Sequence, residues 1–389
     1  RAGTILAGTP ASDMAQMFLI WTLVSGLGDI GRIDEIEPAA SAGYRLAETS
    51  AEASHLRLPL ATMQVIAYWL AGALTSSDAM IARFRSDTID VPFQQSWRSF
   101  FAAMSAISRG DLAAAQRSLH ETIAHLETAG TGQMLKVFAR SWLATVTGMA
   151  GKAVDARCEF AALEWWDRDP DACKWDSAKS IAEAWVCAAE GATTQAISII
   201  CDAARRERRL GRRAWEVMLL QTATQFGDRT TAPRLAELAD DVQGPRAAAA
   251  AIHAAALAAG DGDALIRASR QYEEFGDRLA AADAAAQAVV TYHQAGLRGA
   301  AMNASAMVDR LAAECQGAQT PALRAAAAPQ PFTARQREII SLAAQGLSNK
   351  EIADRLTMST RSVEGHLFRA SQRVGANSRE QLISILHGS

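Results

Sequence analysis

The feature that most constrains this chain is a glycine that returns at nearly even spacing. Gly31, Gly72, Gly110, Gly151, Gly191, Gly227, Gly260 and Gly296 lie 41, 38, 41, 40, 36, 33 and 36 residues apart. Each follows an apolar run with helical spacing and precedes another. The clearest copy is Gly110-Asp111, leading into Leu112, Leu119, Ile123 and Leu126; Gly227-Asp228 and Gly260-Asp261 repeat the pair. A glycine can take the left-handed conformation that ends one helix, and an aspartate can cap the next. Two helices per period is the pattern of stacked helical hairpins, in which each unit buries its apolar face on its neighbours. The expectation is therefore an all-α protein, with an α-solenoid over residues 1–315.

Composition agrees. Alanine is abundant and only 10 of 389 residues are proline, which favours helix because alanine loses no side-chain entropy there and proline breaks it. No long stretch alternates with period two, so a β-barrel is excluded. At about 150 residues per domain the chain needs more than one core. The period and the paired helices resemble tetratricopeptide-type repeats.

Trp21, Trp69, Trp97, Trp142, Trp185 and Trp215 each fall in the first helix of a successive hairpin, 3 to 13 residues before the repeat glycine. They cannot share one face. Two readings stand: packing between repeats, or a concave groove that stacks on an effector, for which Trp97, Trp142, Trp185 and Trp215 are the candidates. Trp165, Trp166 and Trp175 surround the polar loop Asp167-Arg168-Asp169-Pro170-Asp171, the expected exposed aromatic patch. The run Arg205 to Arg213 reads as a solvated helix end, or as a docking surface for an acidic partner.

Five cysteines without a C-x-x-C pair read as free thiols in a reducing compartment. With no secretory signal, and only a short apolar stretch at Met14–Gly28, the expected location is the cytoplasm, without a membrane partner. Chemistry-bearing patterns fail on spacing. No phosphate loop of the G-x-x-x-x-G-K-[ST] kind exists. His120 and His125 diverge by about 140° on a helix, so one metal cannot take both. Asp167, Asp169 and Asp171 start a calcium loop that lacks its glycine and its last acid. No catalytic set, metal or cofactor is expected, and nothing argues for an enzyme.

Residues 316–331 read as a linker, with three prolines and no amphipathic period; Pro329 and Pro331 would stop any helix built by the alanines before them. Beyond it the charge changes sign. Residues 331–389 hold eight basic side chains against five acidic, a net +3, while the remainder holds 31 against 37, a net −6. Such asymmetry points to nucleic acid. Thr333 with Gln336 and Ser348 with Glu351 form capping boxes, and Ser378 with Gln381 a third. Ser359 caps a helix carrying Val363, Leu367, Ala370 and Val374 on one face. Four short helices with a tight turn between the second and third make a helix-turn-helix domain over 332–389.

From Phe332 to Ile385 these residues closely resemble the LuxR-type (GerE-like) DNA-binding domain. The T-x-R-x-x-E opening is Thr333, Arg335 and Glu338. The G-x-S-N-K-E-I-A core is Gly346, Ser348, Asn349, Lys350, Glu351, Ile352 and Ala353. Ser359, Ser362, Val363 and His366 follow its S-x-x-[TS]-V-x-x-H pattern, then Arg373, Val374, Gly375 and Arg379. The resemblance implies that the third helix enters the major groove of double-stranded DNA. The stripe opposite its buried face holds Arg361, Glu364, Gly365 and Phe368, the base-reading candidates. Many family members carry lysine at the places of 364 and 368, so base reading here differs. Ser348, Lys350, Thr360, Arg369 and Arg373 are the phosphate candidates. His366 matches a family position, yet also fits a histidine at the edge of the core.

Repeats followed by this domain resemble, in architecture, the C-terminal part of the large ATP-binding LuxR-family regulators. The missing phosphate loop and a first residue that is Arg, not Met, fit a fragment lacking a nucleotide switch, or a natural short form. The expected function is a transcription regulator. Its helical-repeat domain senses an unknown small-molecule or protein effector, and its C-terminal domain binds DNA as a homodimer. The rivals are a scaffold whose C-terminal domain no longer binds DNA, and the end of an ATP-dependent regulator.

Overall fold

The structure, a computed structural model, describes residues 12–85, 92–163, 176–327 and 332–387. The acidic loop at 167–171, Trp165, Trp166, Trp175, Cys173, Pro329 and Pro331 lie outside the described residues. Among the described residues the protein is helical throughout and has no strand.

Among the described residues eight hairpins come first. They are α1 (Asp13–Ile30) with α2 (Ile36–Thr49), α3 (Arg57–Ala71) with α4 (Leu74–Arg85), and α5 (Pro92–Arg109) with α6 (Leu112–Ala129). Next are α7 (Gln133–Met149) with α8 (Ala153–Ala161), α9 (Asp176–Ala189) with α10 (Thr193–Leu210), and α11 (Arg213–Gln225) with α12 (Ala232–Asp241). The last are α13 (Pro245–Ala259) with α14 (Gly262–Phe275) and α15 (Arg278–Gln294) with α16 (Arg298–Glu314). Every repeat glycine is the turn inside one hairpin, and all eight have positive φ. Asp111 and Asp261 cap the helices after them, accepting from the N–H of Ala114 at 3.0 Å and of Ala264 at 2.9 Å. Asp228 does not cap. It accepts from the N–H and hydroxyl of Thr230, both at 2.8 Å, so its carboxylate closes a local turn before α12 begins.

The two helices of a hairpin have different surroundings. In α10 the buried positions are Ala196, Ile200, Ala203, Ala204 and Glu207, a single stripe. In α3 every residue from Leu60 to Ala71 is buried, and in α11 every residue from Ala214 to Gln225. The cause is that the superhelix closes on itself. Helix α11 packs on α1 and α3, α13 on α3, and α15 on α5. Backbone and side chains stitch this closure: Gln243 N–H donates to Gly31 O at 2.9 Å, and the Trp215 indole N–H to Asp29 at 3.0 Å. Alanine makes the close approach possible. Seven alanines between Ala280 and Ala288 in α15 are wholly buried.

One cation sits in this closure. Arg246, 2% exposed, donates to Asp277 at 2.5 Å, to Gln221 at 3.1 Å and to the Trp69 carbonyl at 3.1 Å. Half of the expected linker is structured: α17 (Pro321–Ala327) buries Ala322 and Leu323 against α15. Four helices follow, α18 (Ala334–Ala344), α19 (Asn349–Arg355), α20 (Thr360–Val374) and α21 (Arg379–His387). None of the described helices is long and apolar enough to cross a membrane.

Candidate nucleic-acid interface

The four terminal helices start where their capping residues dictate. Thr333 and Gln336 bond reciprocally at the head of α18, and Ser348 and Glu351 at the head of α19. Each such cap is worth about 1 kcal/mol. The bonds from Ser348 also hold the Glu351 carboxyl below its ordinary range. At α21 the box is shifted. Gln381 donates its N–H to Ser378, but its side chain accepts from Asn377, one residue earlier. Two small cores result. Ile339, Leu342, Ile352, Leu356 and Val363 form one; Phe332, Ile340, Ala370 and Leu382 form the other, and Leu367 touches both. Arg335 ties α18 to the end of α19, bonding Glu338 at 2.8 Å and the Leu356 carbonyl at 3.1 Å. Arg379 ties α21 to α19 through Asn349 at 2.8 Å.

This frame fixes the face of α20. Val363 and Ala370 are fully buried, so the opposite side is turned outward. Arg361, Glu364 and Phe368 are exposed there, Phe368 by 65%, with Gly365 half-buried between them. The Arg369 guanidinium lies over Gly365, where an added Cβ would meet it at 3.5 Å. Lys350, Thr360, Arg369 and Arg373 are exposed, as is Ser348, whose hydroxyl is engaged in its cap. His366 is half-buried. Desolvation first, then the charges of Arg369 and Arg335, hold its pKa below the ordinary histidine value.

Residues 330–386 match the luxR family of bacterial regulatory proteins. The spore germination protein GerE of Bacillus subtilis is 37% identical over 52 residues, which are 13% of this chain and 70% of that protein. The chain belongs to the LuxR family. The response regulator Rre1 of Synechocystis sp. is 42% identical over 59 residues, 15% of this chain and 26% of Rre1, so the match spans about a quarter of that relative. A Mycobacterium tuberculosis protein named as an HTH-type transcriptional regulator is 42% identical over 52 residues, 13% of this chain and 6% of that far longer protein. In shape, a Rap protein complexed with competence and sporulation factor is similar at a TM-score of 0.44 and 11% identity, covering 96% of this chain and 98% of that one.

The LuxR-type domain docks on the repeats through α18 and through Arg355 at the end of α19. Helix α10 starts at Ala192, which offers no side-chain cap. Glu338 supplies one from the other domain. It accepts the Thr194 N–H at 2.9 Å and the Thr194 hydroxyl, and is 1% exposed. Gln345 donates to the Glu190 carbonyl at 3.0 Å, and Arg355 meets the Glu190 carboxylate at 3.4 Å. Sequence reading missed this contact, although the uncapped start of α10 was a signal: its first amides need a partner from elsewhere.

The proposed effector tryptophans lie in the repeat core. Trp97, Trp142, Trp185 and Trp215 are 8%, 2%, 1% and 5% exposed. Trp142 meets Trp69 edge-on at 5.0 Å, Trp69 meets Trp215 at 6.3 Å, and Trp185 meets Phe226 at 4.7 Å. The void beside Trp142 and Trp185 is about 50 Å³, room for water and not for a metabolite. Because the superhelix is closed, the surface that an open solenoid would offer as a groove is filled by its own inner helices.

Proposed function

We propose that this chain is a cytoplasmic transcription regulator whose LuxR-type domain binds duplex DNA as a homodimer under control of the helical-repeat domain. The observation that carries this reading is the orientation of the LuxR-type domain. It is held to the repeats by α18, while Arg361, Glu364 and Phe368 stay exposed around the half-buried Gly365. On this reading Arg361 pairs with guanine, Glu364 accepts from a cytosine amino group, and Phe368 touches a thymine methyl. Lys350, Thr360, Arg369 and Arg373, with the head of α19 at Ser348, meet phosphates. Two-fold symmetry of the dimer then sets a palindromic site.

The test is the salt dependence of duplex binding by the full chain. Lys350→Ala should weaken binding to every sequence alike and lower the slope of log K against log salt by about 0.9. Arg361→Ala should instead relax preference at one base position. The scaffold reading draws on Glu364 and the net charge of −3. Absence of duplex binding in low salt would select it.

A further inference from the structure

Two half-buried arginines stand where the repeats meet the LuxR-type domain, and neither forms an ion pair among the described residues. Between the fifth to eighth hairpins, α17 and α18 lies a cavity of about 1120 Å³, slightly larger than most pockets that hold a metabolite. Arg324, from α17, and Arg337, from α18, both line it. Arg324 donates to two carbonyls, Gln319 at 2.8 Å and Ala188 at 2.7 Å, and meets no carboxylate among the described residues. Arg337 makes no side-chain hydrogen bond among them, and its Nε is shut away from solvent. Burial pulls both guanidiniums below the usual arginine range; on Arg324 the Arg337 charge adds to the effect and Asp283 opposes it.

The acids on the wall are already paired. Glu190 holds Arg157 through two bonds of 2.9 and 2.6 Å, and Glu338 holds Arg335. Among the described residues Asp283 beneath α17 is the one carboxyl group that acts on Arg324, and none acts on Arg337. Two like charges, partly desolvated and with so little opposite charge, are a costly arrangement that a bound anion relieves. Apolar surface from Phe226, Leu257 and Val290 lines the rest of the space, with Thr291 and Gln294 as polar points.

We propose that this cavity is an effector site for a small molecule with an oxyanion head, carboxylate or phosphate, gripped between Arg324 and Arg337, and an apolar body. The two arginines belong to opposite sides of the join, so the ligand bridges the repeat domain and the LuxR-type domain and holds them docked. This rests on the reading of the repeat domain as the controlling part. It moves the effector from the tryptophan core to the join with the DNA-binding domain.

The experiment is thermal unfolding of the full chain in inorganic phosphate, in acetate and in chloride at matched ionic strength. A site of this kind raises Tm saturably in phosphate or in acetate, and which of the two works assigns the head group. Arg337→Gln, which removes no hydrogen bond, should weaken the anion about tenfold or more and leave Tm in chloride unchanged or higher. Arg337→Met should do the same. Lys350→Ala, on the DNA face, should keep the full response. A response that survives Arg337→Gln, one lost in Lys350→Ala, or none to either anion overturns the site. Duplex affinity measured beside it separates the two readings. Anion bound at Arg337 without a change in DNA affinity supports the site and removes the controlling role of the repeats. No anion binding overturns the site and leaves that role standing.

Discussion

Two joins bring distant parts of this chain together, with an arginine buried in the first and one half-buried in the second. Where early hairpins meet late ones, Arg246 is matched by Asp277, Gln221 and a carbonyl, and tryptophans and alanines fill the space around it. Where the repeats meet the LuxR-type domain, Arg337 has no partner among the described residues and faces a cavity of about 1120 Å³. At the first join the buried charge is matched, and the void beside it, about 50 Å³, has room for water alone. The second leaves polarity unsatisfied beside open space, the condition in which a ligand or a movement changes the balance. On the proposal that the second join holds an effector, this difference is what separates it from a purely structural join.

The largest effect should come from breaking the matched arginine. Arg246→Leu leaves Asp277 buried beside an apolar chain, and breaking such a pair costs about 3–5 kcal/mol. Arg337→Gln should cost nothing. Urea unfolding of the two variants measures the contrast, and equal losses would erase the distinction between the joins.

A pH series sharpens it next. Asp283 sits beneath α17, accepting from Gln225 at 2.8 Å and from Thr320, and burial raises its pKa to about 7. The folded state then binds a proton that the unfolded state has released. The stability it contributes is full below about pH 4 and lost as pH rises through 7. His253, lowered to about 4 by burial, acts oppositely, losing stability as pH falls from 6.5. It is common to both proteins when wild type is compared with Asp283→Asn. The variant should match wild type near pH 4 and exceed it above pH 7 by on the order of 2–4 kcal/mol. A constant difference across that range would show that Asp283 is ionised throughout.

At the second join the hydroxyl of Thr194 donates to Glu338. Thr194→Val keeps the shape and removes that bond to a charged acceptor, worth about 1.5–3 kcal/mol. The loss should appear as faster amide exchange at the start of α10, with global unfolding unchanged because the first join sets it. A fall in global stability instead would make the two joins one cooperative unit.

What could be read in the sequence was local. The eight hairpin turns announce themselves because each contains a glycine in the left-handed conformation that a tight turn between helices favours, and the LuxR-type domain because Thr333, Ser348 and Ser359 cap helices within their own neighbourhoods. Closure of the superhelix is not local. No spacing within α3 says that α11 and α13 will cover its other side, so the tryptophans could be placed on helices but not assigned a face. The missed α17 did carry a signal. Pro321 follows Thr320, whose hydroxyl accepts the Leu323 N–H at 3.1 Å, an N-cap and first-turn proline overlooked among the alanines. Glu338 belongs to the family's opening motif, yet its bond to Thr194 spans 144 residues and no local rule finds it.

The smallest effect is a difference among three turn glycines. Gly31, Gly191 and Gly227 all have positive φ, so alanine at each carries left-handed strain of about 1–2 kcal/mol. At Gly227 a new Cβ meets nothing within 4 Å, and strain is the whole cost. At Gly31 it falls 2.6 Å from a Val242 methyl and 3.3 Å from the Val242 Cα, within the first join, so backbone must move. At Gly191 it falls 3.1 Å from Ser341 of α18, within the second. A contact that tight asks the LuxR-type domain to shift by a few tenths of an ångström. A domain held by a few bonds beside a cavity can do that at low cost; a packed core cannot. Above the Gly227→Ala reference, Gly31→Ala should therefore lose about 1–3 kcal/mol more, as overpacking does, and Gly191→Ala only a few tenths. If Gly191→Ala proves as damaging as Gly31→Ala, the second join is as rigid as the first, and the cavity beside it is a fixed feature of the fold.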